Sequence, residues 1–208
     1  IIDKDTSILT LQNGIGNIEK INNYVDKDQI IVGTSANGAS FIEPGKIRHS
    51  GNGGTILGEI SGQVTSRIKE LHKILNLEEL GGAIISENVM SLIWEKLIVN
   101  CGINPITALT GLKNGELLDN QESLDMMDKI AEEAINVAKT LDIKLSFEDS
   151  SYIREVAEAT RENTSSMLAD IQNRRKSEII NINGAIVKIG KDRGVDVSLN
   201  EILTNLIL

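Results

Sequence analysis

The chain has 208 residues, 40% of them hydrophobic and 25% charged, which suits one large domain or two small ones built around a buried core. Its net charge of −9 argues against general nucleic-acid binding, which needs clustered Lys and Arg; the longest basic run, Arg174–Arg175–Lys176, reads as a solvated helix face. One cysteine, Cys101, and two histidines, His49 and His72, offer neither an internal disulfide nor a metal-site pattern, and with no signal-peptide pattern and no apolar run of about 18 residues the expectation is a cytoplasmic protein that does not cross a membrane.

The chain opens Ile1–Ile2–Asp3–Lys4, without Met, and soon reaches a strand, so it reads as a fragment starting inside an α/β domain. That strand is the apolar run Ser7–Leu11. A turn, Asn13–Asn17, follows, and then a helix with Ile18, Ile21 and Tyr24 or Val25 at helical spacing. Ile30–Ile31–Val32–Gly33 is a β-branched run of the kind buried on both faces of a sheet, so the spacing is strand–helix–strand of a parallel sheet. Ala39–Ile42, Lys46–His49 and Thr55–Ile60 are short strands separated by the turn signals Glu43–Pro44–Gly45 and Gly51–Gly54. They predict antiparallel hairpins on the sheet edge. Gln63 to Leu75 predicts a helix with Val64, Ile68, Leu71, Ile74 and Leu75 on one face.

From about Glu87 the chain is nearly all helix. Asn88–Asn104 is the longest buried candidate, and Pro105 predicts its end or a kink near Asn104. Gln121–Leu141 is amphipathic. Ser146–Asp149 and Ser198–Glu201 read as capping boxes opening two further helices, and Asp170–Arg193 reads as helix stopping at Gly194. The fold class is therefore α/β plus all-α: residues 1–87 as the C-terminal part of an α/β domain and residues 88–208 as a helical domain.

Several residues carry possible chemistry, each with a plainer alternative. Lys96, Asn100 and Asn104 recur every four residues on a helix that is otherwise apolar on most sides. A desolvated lysine there has a lowered pKa suited to proton transfer; alternatively it snorkels to water while the asparagines bond loop backbone. Asn114–Gly115–Glu116 reads as a turn. The polar cluster Asn163–Ser166 is a helix N-cap or a carboxylate site at a helix start. Glu178, beside an apolar run, is a ligand group or the polar edge of a helix. Asn13–Gly14–Ile15–Gly16–Asn17 lies between strand and helix, but Glu19 stands where a dinucleotide fingerprint needs its third glycine, so it reads as a strand-end turn.

In order, these pieces resemble the ketopantoate reductase (2-dehydropantoate 2-reductase) family. Leu11–Gln12–Asn13–Gly14 with Gly16–Asn17 is similar to its L-Q-N-G-x-G-N stretch. Pro44–Gly45, His49 and Gly51–Gly54 are similar to its P-G…H-x-G-x-G segment. Trp94–Leu97, Asn100 and Ile103–Leu109 resemble its W-x-K-L…N…I-N-P-L-T-A-L core. Asn114–Leu117, Ser165–Asp170, and Glu178 with Ile182–Ala185 resemble its N-G-E-L, S-S-M-L-x-D and T-E-I-D…I-N-G-A blocks.

The resemblance implies a Rossmann-type nucleotide domain followed by a helical substrate and dimerisation domain. It also implies reduction of ketopantoate to pantoate with NADPH, in pantothenate and coenzyme A biosynthesis. By the same resemblance Lys96 is the general acid. Glu178 acts with it, and both Asn13 and Glu178 lie at the cofactor. Asn13, Asn100, Asn104, Asn114 and Ser166 hold the small 2-oxo-acid substrate; neither metal nor nucleic acid is implied. A strand, a G-x-G-x-x-G turn and a helix, about 80 residues of βαβ structure, are expected ahead of Ile1. The sequence departs from the family where Ile180 replaces the acid after Glu-Ile, which leaves open a different 2-oxo acid. A catalytically inert binding or assembly module is the reading of another class. Ile202, Leu203, Leu206 and Ile207 would suit a homodimer.

Overall fold

The computed structural model describes residues 2–51 and 53–208. Ile1, and Asn52 in the expected turn 51–54, lie outside the described residues. The chain divides into two compact units: residues 2–12 with 16–93, and residues 13–15 with 94–208.

The first unit contains β1 (Ile8–Thr10), α1 (Asn17–Asn22), β2 (Ile30–Ser35), β3 (Gly38–Glu43), β4 (Lys46–Gly51), β5 (Thr55–Glu59), α2 (Ser66–Leu75) and β6 (Ala83–Ile85). Its main sheet has the order β1-β2-β5-β6. β1 runs parallel to β2 with Ile8 opposite Ile30, β2 antiparallel to β5, and β5 parallel to β6. The β-branched run of β2 is buried on both faces because successive side chains alternate. Ile30 and Val32 pack with Val25 and Val89, while Ile31 packs with Leu57, Ile68 and Ala83.

The antiparallel strands expected at the sheet edge arrange differently. β3 and β4 form a two-stranded sheet of their own. β5 lies inside the main sheet, where Leu57 is fully buried. Its second neighbour, β6, has only three residues between Gly82 and Ser86, too short to show a periodicity. α2 begins at Ser66, capped by the Thr65 hydroxyl, which accepts from the Ile68 N–H. Val64 therefore falls outside the helix and Ile74 is exposed, leaving Ile68, Leu71 and Leu75 as its inward stripe.

The second unit is helical: most of α3 (Val89–Thr110), then α4 (Gln121–Lys139), α5 (Ser151–Ala159), α6 (Ser166–Gln172), α7 (Asn183–Arg193) and α8 (Ser198–Ile207). Trp94, Leu97, Ile98 and Cys101 of α3 pack with Met127, Ile130, Ala134 and Val137 of α4 in one buried cluster. Burying each large aliphatic side chain contributes about 1.5–3 kcal/mol.

α3 does not end near Asn104. It runs through Pro105 to Thr110. Proline cannot donate to the carbonyl four residues back, which here is Cys101 O. The Asn183 Nδ2 donates to that carbonyl at 3.2 Å instead, replacing the missing backbone bond from outside the helix. The expected helix over Asp170–Arg193 is broken into α6, a 3-10 turn at Ile179–Asn181, and α7, which does stop at Gly194.

Neither expected capping box forms. The Ser146 N–H donates to the buried Glu95 carboxylate at 2.6 Å, and α5 starts five residues later, at Ser151, with Asp149 accepting from the Ser151 N–H. At α8 the Glu133 carboxylate of α4 accepts from the Leu199 and Asn200 N–H groups, each at 3.0 Å. A tertiary carboxylate thus satisfies two first-turn N–H groups, while the Ser198 and Glu201 N–H groups that a local box would have served donate to Asp196 Oδ1 and Val197 O. On α8, Leu203 is buried in the core while Ile202 and Leu206 are exposed.

Candidate active site

The second unit gathers its polar side chains around α3 and the 3-10 turn that precedes α7. Lys96 is half-buried, following Trp94 and Glu95 and preceding Leu97 and Ile98, all four of them buried. Burial pushes its ammonium below the ordinary lysine value, and the negative charge of Glu178 acts in the opposite direction. Glu178 itself caps the turn Ile179–Asn181. The two groups therefore lie within electrostatic reach of each other.

Asn13 joins this pair. Its Nδ2 donates to Glu178 Oε2 at 3.1 Å. The backbone fixes the approach: the Ile15 N–H donates to Asn181 O at 3.1 Å. Gly14 sits between these contacts at φ +76°, and a Cβ on it would lie 2.2 Å from Asn181 O. Only glycine satisfies both the left-handed conformation and the close approach. The turn that lacks a dinucleotide fingerprint thus has a different use, presenting Asn13 to Glu178.

Asn100 and Asn104 follow Lys96 at four-residue intervals on α3, on one side of the helix. Asn104 is buried, and its Nδ2 donates to Ser166 Oγ at 3.5 Å. Beside this contact, Thr107 Oγ1 and Ser165 Oγ are 2.7 Å apart, and Ser165 Oγ caps α6 by accepting from the Leu168 N–H at 3.1 Å. The N-cap expected in the 163–166 cluster is therefore Ser165, which leaves the exposed Ser166 hydroxyl beside Asn104.

Asn114 is held elsewhere. Its Nδ2 donates to Thr160 Oγ1 at 3.0 Å and its N–H to Asn163 O at 3.1 Å, with Oδ1 buried and without a hydrogen-bond partner among the described residues. The structure brings Asn13, Lys96 and Glu178 together and joins Asn104 to Ser166. Asn114 is tied to the segment that leads into Ser165.

Sequence reasoning assigned no role to Asn183, Thr107 or Glu95. Asn183 had one available signal: a polar residue in an apolar stretch, in a chain whose longest helix contains a proline. Cys101 is fully buried and its thiol is pushed up strongly by desolvation, so it is inert. Among the described residues no group of three or more His, Cys, Asp or Glu is placed to hold a metal ion, and no helix is long and apolar enough to cross a membrane.

Chemically, the cluster offers an ammonium whose proton is loosened by burial, a carboxylate that opposes that loosening, and amides and a hydroxyl suited to a small polar anion. Such a set can donate a proton to an oxygen on which negative charge develops.

The sequence profile described as "Ketopantoate reductase PanE/ApbA C terminal" matches residues 88–208, and that described as "Ketopantoate reductase PanE/ApbA" matches residues 1–62. The chain is 34% identical to the 2-dehydropantoate 2-reductase of Archaeoglobus fulgidus, over 96% of this chain and 66% of that relative. Among solved structures it is similar to a PanE/ApbA family ketopantoate reductase from Ralstonia eutropha, with a TM-score of 0.87 and 29% identity over 99% of this chain and 67% of that one. It is also similar to a D-mandelate dehydrogenase in complex with NADH, with a TM-score of 0.89 and 29% identity over 100% of this chain and 70% of that one.

Proposed function

The chain belongs to the ketopantoate reductase family, and from that premise we propose that it supplies the substrate-side machinery of an NADPH-dependent reduction of ketopantoate to pantoate, a step toward pantothenate and coenzyme A. In this reading residues 88–208 carry the acid and most substrate contacts, and residues 1–87 belong to the nucleotide-binding domain. The observation that carries the proposal is the Lys96–Glu178–Asn13 cluster: a desolvated ammonium beside a carboxylate that is itself hydrogen-bonded.

The residues present fit a polar ligand at the sheet. β1 and β2 are parallel, and their carboxyl ends lie on the edge where open α/β sheets take nucleotides. There Thr10 Oγ1, at the end of β1, and Asn37 Oδ1, just past β2, are buried without a hydrogen-bond partner among the described residues. In the second unit, Asn13 and Glu178 would hold the nicotinamide side. NADPH, when bound, supplies the hydride.

Lys96 Nζ donates its proton to the ketone oxygen as that oxygen takes on negative charge, and recovers one from solvent after release. The negative charge of Glu178 favours the protonated form of Lys96, and its carboxylate accepts a hydrogen bond from the nascent hydroxyl. Asn100, Asn104 and Ser166 present amide and hydroxyl donors to the substrate carboxylate, with Ser166 placed by the Ser165 cap. Asn114 supports the segment that carries them.

A second reading stays within the same chemistry. Ile180, two residues from Glu178, is 48% exposed, and the family resemblance expects an acid there. An apolar side chain at that point favours a 2-oxo acid with a more apolar substituent. Initial rates of NADPH and NADH oxidation with ketopantoate and a panel of 2-oxo acids, using the gene product that contains this chain, separate the two. Highest kcat/KM with ketopantoate supports the first; preference for a bulkier apolar 2-oxo acid supports the second.

A further inference from the structure

Taking Lys96 and Glu178 as the reacting pair, we propose that Asn183 is the positioning residue that sets their relation, by fastening the segment that carries Glu178 to the helix that carries Lys96. Asn183 opens α7 and is fully buried. Its Nδ2 donates at 3.2 Å to Cys101 O, the carbonyl that Pro105 leaves without its helical partner, and at 2.9 Å to Asn200 Oδ1. Asn200 Nδ2 in turn donates to Ile130 O at 3.1 Å and to Glu133 Oε2 at 2.8 Å. The amide of Asn183 is thus oriented from both sides, by α3 and by a buried chain of bonds reaching α4 and α8.

The same short segment reaches the reacting groups. Glu178 lies at its start and accepts from Asn13. The Asn181 carbonyl accepts from the Ile15 N–H. Asn183, at its end, grips α3 between Asn100 and Asn104. Pro105 has a role in this arrangement: it leaves the Cys101 carbonyl, in the interior of the helix, without its i+4 N–H donor, and so creates a docking point for an outside donor. Lys96 is five residues before that point on the same helix. An anchor at Cys101 O therefore fixes the register between Lys96 and Glu178 without touching substrate.

Fastening and mere stabilisation are separated by comparing a single and a double variant with the wild type, in the gene product that contains this chain. Asn183→Ala leaves Cys101 O without a donor and removes the fastening. Pro105→Ala/Asn183→Ala gives residue 105 an N–H that can bond Cys101 O within the helix, which restores folding stability but not the link between the segments. Three readouts are taken on each protein: thermal midpoint, kcat and KM for ketopantoate, and the titration of Lys96. The titration is followed by NMR of protein carrying 13C at the lysine ε carbon, with the signal assigned through Lys96→Met.

The expectation for the double variant is recovery of most of the stability lost in Asn183→Ala. Its kcat should stay at least about tenfold below wild type, a displacement of roughly 1 Å at reacting groups costing up to about 100-fold, and its Lys96 titration should remain shifted from that of the wild type. Recovery of kcat and of the titration together with stability would overturn the proposal, as would an Asn183→Ala protein with unchanged kcat and titration. If the wild type does not turn over ketopantoate, the reductase reading fails, while the Lys96 titration still decides whether Asn183 positions the pair.

Discussion

Gly14→Ala tests how tightly the Asn13 turn is built against Glu178. Gly14 sits at φ +76°, and an added Cβ would meet Asn181 O at 2.2 Å and Asn181 C at 2.8 Å. The left-handed conformation alone costs an alanine about 1–2 kcal/mol. The contact is about 1 Å short of ordinary carbon–oxygen separation, and both partners are backbone, so no side chain can rotate away. The turn must retreat by about that distance, stretching the Ile15 N–H to Asn181 O bond and drawing Asn13 from Glu178. Together these give a destabilisation of about 2–4 kcal/mol and a fall in kcat/KM of about 100-fold. Gly16→Ala is the control: φ is +93°, but nothing lies within 4 Å of the added Cβ. It should show the conformational cost with little loss of activity. Urea unfolding and steady-state kinetics on both variants read the difference. Equal effects of the two substitutions, or a Gly14→Ala protein with wild-type kcat/KM, would refute the reasoning.

Lys96→Met removes a lysine whose pKa burial lowers from 10.5. Between the lowered folded value and 10.5 the unfolded chain holds more protons, so this term makes wild-type stability rise with pH across that window; the variant should lose that rise and be the more stable protein near neutral pH, as urea unfolding at a series of pH values would show. Glu178→Gln keeps an acceptor for Asn13 but removes the charge that holds the Lys96 pKa up. The alkaline limb of the kcat–pH profile should therefore move to lower pH, and an unmoved limb contradicts the pairing. Ser165→Ala removes the α6 cap and the Thr107 contact, at a cost of about 1–2 kcal/mol, and should raise KM for ketopantoate through displacement of Ser166, as initial-rate kinetics would show.

The parts of the fold visible in the sequence were those encoded locally. The β-branched run Ile30–Val32 announced a strand buried on both faces, and the apolar periodicity of 121–141 announced α4. What could not be read depended on distant partners. Pro105 argues for a helix end on local grounds, and only Asn183, distant in sequence, makes continuation affordable by bonding Cys101 O. The box at Ser146 gave way to the Glu95 carboxylate of another helix, and at α8 the Ser198 N–H turned to Asp196 while Glu133 of α4 took the Leu199 and Asn200 N–H groups. β6 is three residues long and exists because β5 offers it a parallel edge. The candidate site followed the same division. The Lys96–Asn100–Asn104 stripe was legible from helical spacing alone. The Asn13–Glu178 bond spans most of the chain and was not legible in the sequence, where the family resemblance implied only that both residues lie at the cofactor.

The central claim is that Lys96, tuned by burial and by Glu178, delivers the proton to a 2-oxo acid as it is reduced. The most direct measurement is ketopantoate-dependent NADPH oxidation by the gene product containing this chain, wild type against Lys96→Ala, with circular dichroism confirming that both are folded. The account predicts turnover in the wild type and a loss of kcat of about 100-fold or more in the variant. A folded Lys96→Ala protein that keeps the wild-type kcat would contradict it.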